Sequence, residues 1–185
     1  MTIQEGSAAA PTELSLSEAT AILSRTPGAL RALLEHLPEP WLEASEGEGT
    51  FTPCDVLGHL IHGEKTDWVV RIKVILETGE THPFVPFDRF GFRDAIAGVP
   101  TSELLDEFEA QRRASLAFLG GLHLTPSQLS LTGVHPELGR VTLQQLLATW
   151  VVHDLNHIGQ IVRVMSKRYT GTVGPWKAYL GILNR

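Results

Sequence analysis

Between Thr52 and Gly79 the chain carries one continuous helical pattern, and that stretch limits the fold more than any other feature. Thr52 can cap it, Pro53 stands at the first helical position, where its missing N–H is no loss, and Asp55 adds a negative charge to the first turn. Val56, Leu57, Leu60, Ile61, Val69, Val70, Ile72, Val74, Ile75 and Leu76 then form an apolar stripe, mostly at steps of three and four. At 1.5 Å per residue this predicts about 40 Å of helix, the length of a main strut in a bundle.

Three other stretches share the period. From Ser17 to Pro38, Ile22, Leu23, Leu30, Leu33, Leu34 and Leu37 fall on one stripe, and Thr26-Pro27 inside it predicts a kink or restart. A third helix is expected from Thr101 or Ser102, with Leu104, Leu105, Phe108, Leu116 and Leu119 as its stripe and Gly120-Gly121 as its end. A fourth runs from Thr142 to about Tyr169, and a short amphipathic segment, 175–183, follows. No strand pattern of period two competes. The expected fold is all-α: a four-helix up-and-down bundle with a short additional C-terminal helix. Residues 1–15, small and polar, read as a flexible tail, and 16–185 as a single helical domain, an ordinary size for a chain of 185 residues.

Two connections are long. The first, Glu80 to Pro100, carries Phe84, Phe87, Phe90 and Phe92 between prolines and glycines, so it must lie across something apolar, either the bundle end or the mouth of a pocket. The second runs from His123 to Arg140.

Composition narrows the function. With 43% hydrophobic and 19% charged residues the chain can build a core and is not a disordered segment. A net charge of −6 and a pI near 5.7 leave no basic surface for nucleic acid or anionic lipid, so neither is an expected partner. Cys54 is the one cysteine, which excludes an internal disulfide and a CxxC site. The N-terminal residues lack the basic and apolar regions of a signal peptide, and no apolar run approaches the roughly 20 residues that cross a bilayer. The expectation is a cytoplasmic protein acting on a small molecule.

The chemistry points to histidines. His153 and His157 stand four apart on the buried stripe of the fourth helix, close enough on one face to reach one metal ion. Core histidines bonded to neighbouring side chains would give the same pattern. His59 lies on the stripe of the long helix, with Gly63 one turn on leaving space above an ion. Three imidazoles from two packed helices suit Zn²⁺, Ni²⁺ or Fe²⁺ and leave positions open for water or substrate. Such ligands predict that affinity weakens below about pH 6.5. Around them, His62, Asp154 and Gln160 are candidates to orient ligands or touch substrate, against surface or ion-pairing roles. Glu64 and Asp67 are weak candidates for a general base, with solvated ion pairing beside Lys65 and Arg71 the simpler reading. Cys54 sits in a first turn, where the helix dipole favours a thiolate, but its spacing from His59 sends the two side chains apart.

The stretches TPGALRALLEHLP, FTPCDVLGHLIHGEKTDWVVRIKVIL and HPELGRVTLQQLLATWVVHDLNHIGQI resemble the DinB/YfiT-like superfamily of metalloenzymes over roughly residues 20–170. The most specific part is the early histidine of the second helix with HDxxHxxQ on the fourth. The resemblance implies a four-helix bundle, often a homodimer, with a divalent metal held by the positions that match His59, His153 and His157. It implies a metal-dependent hydrolase or a thiol-dependent S-transferase or isomerase, with a low-molecular-weight thiol as a further cofactor. Arg71, Arg89, Arg93 and Arg163 could supply charge for such a thiol. A non-catalytic module that binds metal or a small ligand is the alternative.

Overall fold

The computed structural model describes residues 13–184, so the expected tail lies outside the described residues up to position 12. The first bundle helix is split. Helix α1 (Leu16–Leu23) is capped by Ser15, whose side chain accepts from the Glu18 N–H, and α2 (Thr26–Leu34) restarts with a proline in its first turn. A single turn, α3 (Glu39–Leu42), precedes the second bundle helix, α4 (Pro53–Thr66). Thr52 and Asp55 cap α4 reciprocally.

The long helix is not continuous. Asp67, at φ −120° and ψ −73°, breaks it, and α5 (Trp68–Glu77) continues beyond. The break places the Trp68 indole flat on Trp150, with ring centroids 5.6 Å apart and planes 12° apart. A Cβ on Gly63 would stand 3.3 Å from Trp68 Nε1, so the indole edge takes up part of the space beside this glycine. A 3₁₀ turn (Gly79–Thr81) and a short α6 (Arg93–Ile96) interrupt the connection to α7 (Thr101–Gly121). After α8 (Pro126–Leu129) comes a hairpin that period-two reading does not find: β1 (Thr132–His135) pairs antiparallel with β2 (Gly139–Thr142). Its three-residue loop, 136–138, leads into Gly139 at the start of β2, whose φ of +72° suits a glycine. Helix α9 (Leu143–Lys167), with its Thr142–Gln145 capping box, completes the bundle. The expected C-terminal helix takes the form of 3₁₀ turns, Gly174–Tyr179 and Gly181–Asn184.

The bundle is the one the pattern predicts, but the path through it is particular. Arg31 pairs with Asp106, and Arg112 reaches the Leu23 carbonyl, so α1–α2 and α7 run antiparallel. His59 meets His153 while Trp68 meets Trp150, so α4–α5 and α9 are antiparallel too. Cys54 lies against Thr101 and Glu64 against Arg112, so α4–α5 and α7 run parallel. Up-and-down alternation therefore holds within each half of the chain and not between the halves. A parallel pair needs a connection that travels back along the bundle. Residues 78–100 are that crossover. Phe84 packs into the core at the α5 end beside Trp68 and Trp150, and Phe92 into the core at the α4 start beside Phe51 and Leu57.

The crossover is pressed closely onto α4. A Cβ on Gly58 would meet Phe92 at 2.7 Å and Ile96 at 2.8 Å. Gly58→Ala is therefore expected to destabilise by about 1–3 kcal/mol through overpacking, although alanine is the better helix former. Chemical denaturation checks this: a stabilised variant would show that the crossover yields freely.

Candidate metal centre

His59 comes from the middle of α4, and His153 and His157 from consecutive turns of α9. Their Nε2 atoms converge. His153 Nε2 lies 3.2 Å from His59 Nε2 and 3.1 Å from His157 Nε2, and ligand nitrogens from all three lie within 4.8 Å of one another. Tetrahedral ligands at 2.0–2.1 Å from a zinc ion stand about 3.3 Å apart, so this spacing fits one ion. His59 and His157 are buried and His153 is half-buried. Phe51, Phe87 and Phe92 surround the His59 ring, and the edge of Trp68 meets His153.

The cluster is held neutral. Burial, reinforced by the other histidines, pushes His59 down to about 4 and His153 down to about 3. His157 is lowered chiefly by burial, against the opposing influence of Gln160 and Asp154. Gln160 Oε1 stands 2.8 Å from His157 Nδ1. A proton on that nitrogen leaves the Nε2 lone pair facing the centre, the tautomer a metal ligand needs. The Nδ1 atoms of His59 and His153 are buried without hydrogen-bond partners, although the Arg89 backbone lies close enough to favour charge on His59. Three neutral imidazoles with their Nε2 atoms aimed at one point, and so few partners behind them, make a poor polar core and a good donor set.

Proton linkage follows with a definite sign. The unfolded histidines protonate near pH 6.5, whereas the folded ones resist, so metal-free protein loses stability as pH falls from about 6.5 towards 3–4. Metal-free wild type should lose stability relative to His153→Gln across that window. Urea melts at several pH values read this directly, and parallel pH profiles would show that His153 is not held neutral by the fold.

The remaining candidates separate. Asp154 does not orient a histidine: fully buried, it receives Nη1 and Nη2 of Arg112. Glu64 is buried rather than solvated, and its Oε1 accepts from Arg112 Nε and Nη2 and from Trp150 Nε1. Lys65 pairs with Glu107 instead. Asp67 is buried beside Arg71, whose Nε approaches Oδ1 at 2.6 Å with a poorly aligned N–H, and desolvation raises the Asp67 pKa. His62 lies outside the three-histidine group, against Phe87 and Gly91. Cys54 is half-buried against Thr101, with its thiol pKa raised by burial. Arg163 is committed to Glu46, and Arg93 lies over Phe90.

Sequence reasoning missed Arg112. It is 1% exposed and ties α7 to both histidine-bearing helices through Glu64 and Asp154. Burial alone would lower its pKa, but Asp154 and Glu64 more than offset that and hold the guanidinium charged. The signal was available: position 112 falls on the stripe of Phe108, Ser115 and Leu119.

A cavity of about 330 Å³ opens beside the histidines. His59 and His153 lie at one end, the crossover supplies Phe84, Phe87 and Arg89, and the hairpin supplies His135, Leu138 and Val141. Asp67, Trp68 and Arg71 line it where α4 gives way to α5.

Fold and site together define a four-helix bundle with a three-histidine group that could hold a divalent ion beside an open cavity. The family model of the DinB superfamily matches residues 22–161, and the chain belongs to that superfamily. Among solved structures, it is similar to YfiT from Bacillus subtilis, with a TM-score of 0.71 and 23% identity over 90% of this chain and 95% of that one. That protein is reported as a probable metal-dependent hydrolase with an unusual four-helix bundle topology, and at this identity the likeness shows a shared fold. No curated protein matches the chain. Among the described residues no helix is long and apolar enough to cross a membrane.

Proposed function

We propose that the protein is a metal-dependent enzyme in which His59, His153 and His157 hold one divalent ion and the adjacent cavity admits a small-molecule substrate. The observation that carries this reading is the convergence of three neutral imidazole nitrogens at the end of an open cavity. A bound ion would supply Lewis acidity and lower the pKa of a water or thiol nucleophile. The chain's own residues do the rest. Gln160 fixes the His157 tautomer, and the aromatic rings around His59 limit water. Glu64 is committed to Arg112 and Trp150 away from the cavity, whereas Asp67 lines it beside Arg71, which favours Asp67 of the two as the group that would accept a proton from an incoming nucleophile. Hydrolysis and thiol transfer both fit this arrangement, and a second copy of the chain would complete the homodimer that the family resemblance implies.

Metal analysis of protein purified without chelator tests the reading, with about one equivalent of zinc, nickel or iron expected. The metal-restored protein would then be assayed on hydrolase and thiol-transfer substrates. Since the fold suppresses histidine protonation, retention should persist below pH 6.5 and fail nearer pH 4. Tight metal binding with no activity on either panel would favour the non-catalytic module. Failure to bind any divalent ion would overturn the proposal.

A further inference from the structure

The cavity beside the histidines has a composition that selects its ligand. The whole chain carries a net charge of −6, yet the charged groups lining this cavity are two arginines and one aspartate. Asp67 is already matched by Arg71 at ion-pair distance. Arg89 has no carboxylate within ion-pair distance among the described residues, and its guanidinium lies over the ring of Phe51, 5.2 Å from the centroid, at the same end as His59. A guanidinium held over an aromatic ring keeps its donor fork free for a planar anion. The walls are otherwise mostly apolar, made by Trp68, Phe84 and Phe87 with aliphatic residues of the hairpin, and Gln145, Thr149 and His135 add polar groups to them. The volume is at the small end of ligand pockets, which run from about 300 to 1,000 Å³.

We infer that this cavity takes a small organic acid, with its carboxylate at Arg89 beside the histidines and a flat apolar body against Trp68, Phe84 and Phe87. The assignment rests on the reading of the histidine end as the reacting end, and it names the class of substrate that end would meet. Inorganic anions would satisfy Arg89 but leave the aromatic walls unused. Neutral apolar molecules would fill the walls but leave Arg89 unmatched.

Calorimetric titration of the full-length protein, zinc-loaded and chelated, with phenylacetate, phenylacetamide and inorganic phosphate tests this. Phenylacetate should bind at least about tenfold more tightly than phenylacetamide in both forms, as expected for loss of a charge-assisted bidentate contact. Arg89→Gln, which keeps much of the side-chain stem, should reduce that preference to less than about twofold while zinc stoichiometry is unchanged. Equal binding of acid and amide, a preference that survives Arg89→Gln, or phosphate binding as tight as phenylacetate would each overturn the inference. The chelated arm reports on Arg89 and the walls alone, and zinc stoichiometry reports separately on the metal reading.

Discussion

Replacing Arg112 with methionine is expected to destabilise the protein by about 3–5 kcal/mol, the usual effect of removing one partner from a buried ion pair. Arg112, Glu64 and Asp154 are each no more than 4% exposed, and Arg112 holds the other two with hydrogen bonds from Nε, Nη1 and Nη2. Without it two carboxylates face each other in the core, and Glu64 Oε2 already lacks a partner. At about 2–4 °C per kcal/mol for a chain of this size, the melting temperature should fall by roughly 10 °C. Replacing the whole group, with Glu64→Leu, Arg112→Met and Asp154→Leu together, should recover much of the loss, because an intact buried ion group often adds little over well-packed apolar side chains. Thermal and urea melts of the single and triple variants check both statements. A single variant within about 1 kcal/mol of wild type would mean that water or backbone movement solvates the carboxylates.

The same three residues show what could be read from the sequence and what could not. The histidines were legible because His59, His153 and His157 fall on apolar stripes, where a polar side chain stands out. Arg112, Glu64 and Asp154 also fall on buried positions of three helices, one positive and two negative. With each helix read alone, Glu64 looks like a solvated charge, Asp154 like a partner for a histidine, and Arg112 carries no signal of its own. Periodicity carries no information about helix direction, so the parallel run of α4 and α7 was hidden, and its trace was the length of the phenylalanine-bearing connection. Neither proline nor glycine marks the break at Asp67, which accompanies the packing of Trp68 on Trp150 across the bundle. Strands β1 and β2 span four residues each, too short for alternation to separate from loop.

His153→Ala is expected to abolish metal retention and activity while leaving the helices in place. His153 is the middle member of the cluster, within 3.2 Å of both other Nε2 atoms, so its loss leaves only His59 from α4 and His157 from α9 as ligands. Two ligands hold a divalent ion far less tightly than three. The fold does not depend on it in the same way. Two apolar clusters run along the bundle, one from Leu30 and Leu57 to Ile161, the other from Leu23 and Ile72 to Trp150, and each fully buried large apolar side chain contributes on the order of 1.5–3 kcal/mol. The residue lost is a half-buried imidazole with an unpartnered Nδ1, at the edge of an existing cavity, so its truncation enlarges open space rather than leaving a sealed void. Metal staples matter chiefly below about 70–80 residues, and this chain is far longer. Chelating the wild type should lower its melting temperature by the binding linkage alone, with no loss of helical circular dichroism at 25 °C. If either the variant or the chelated protein lost its helical signal at that temperature, the ion would be holding α4 against α9, and a structural rather than catalytic metal would be the better reading of the three histidines.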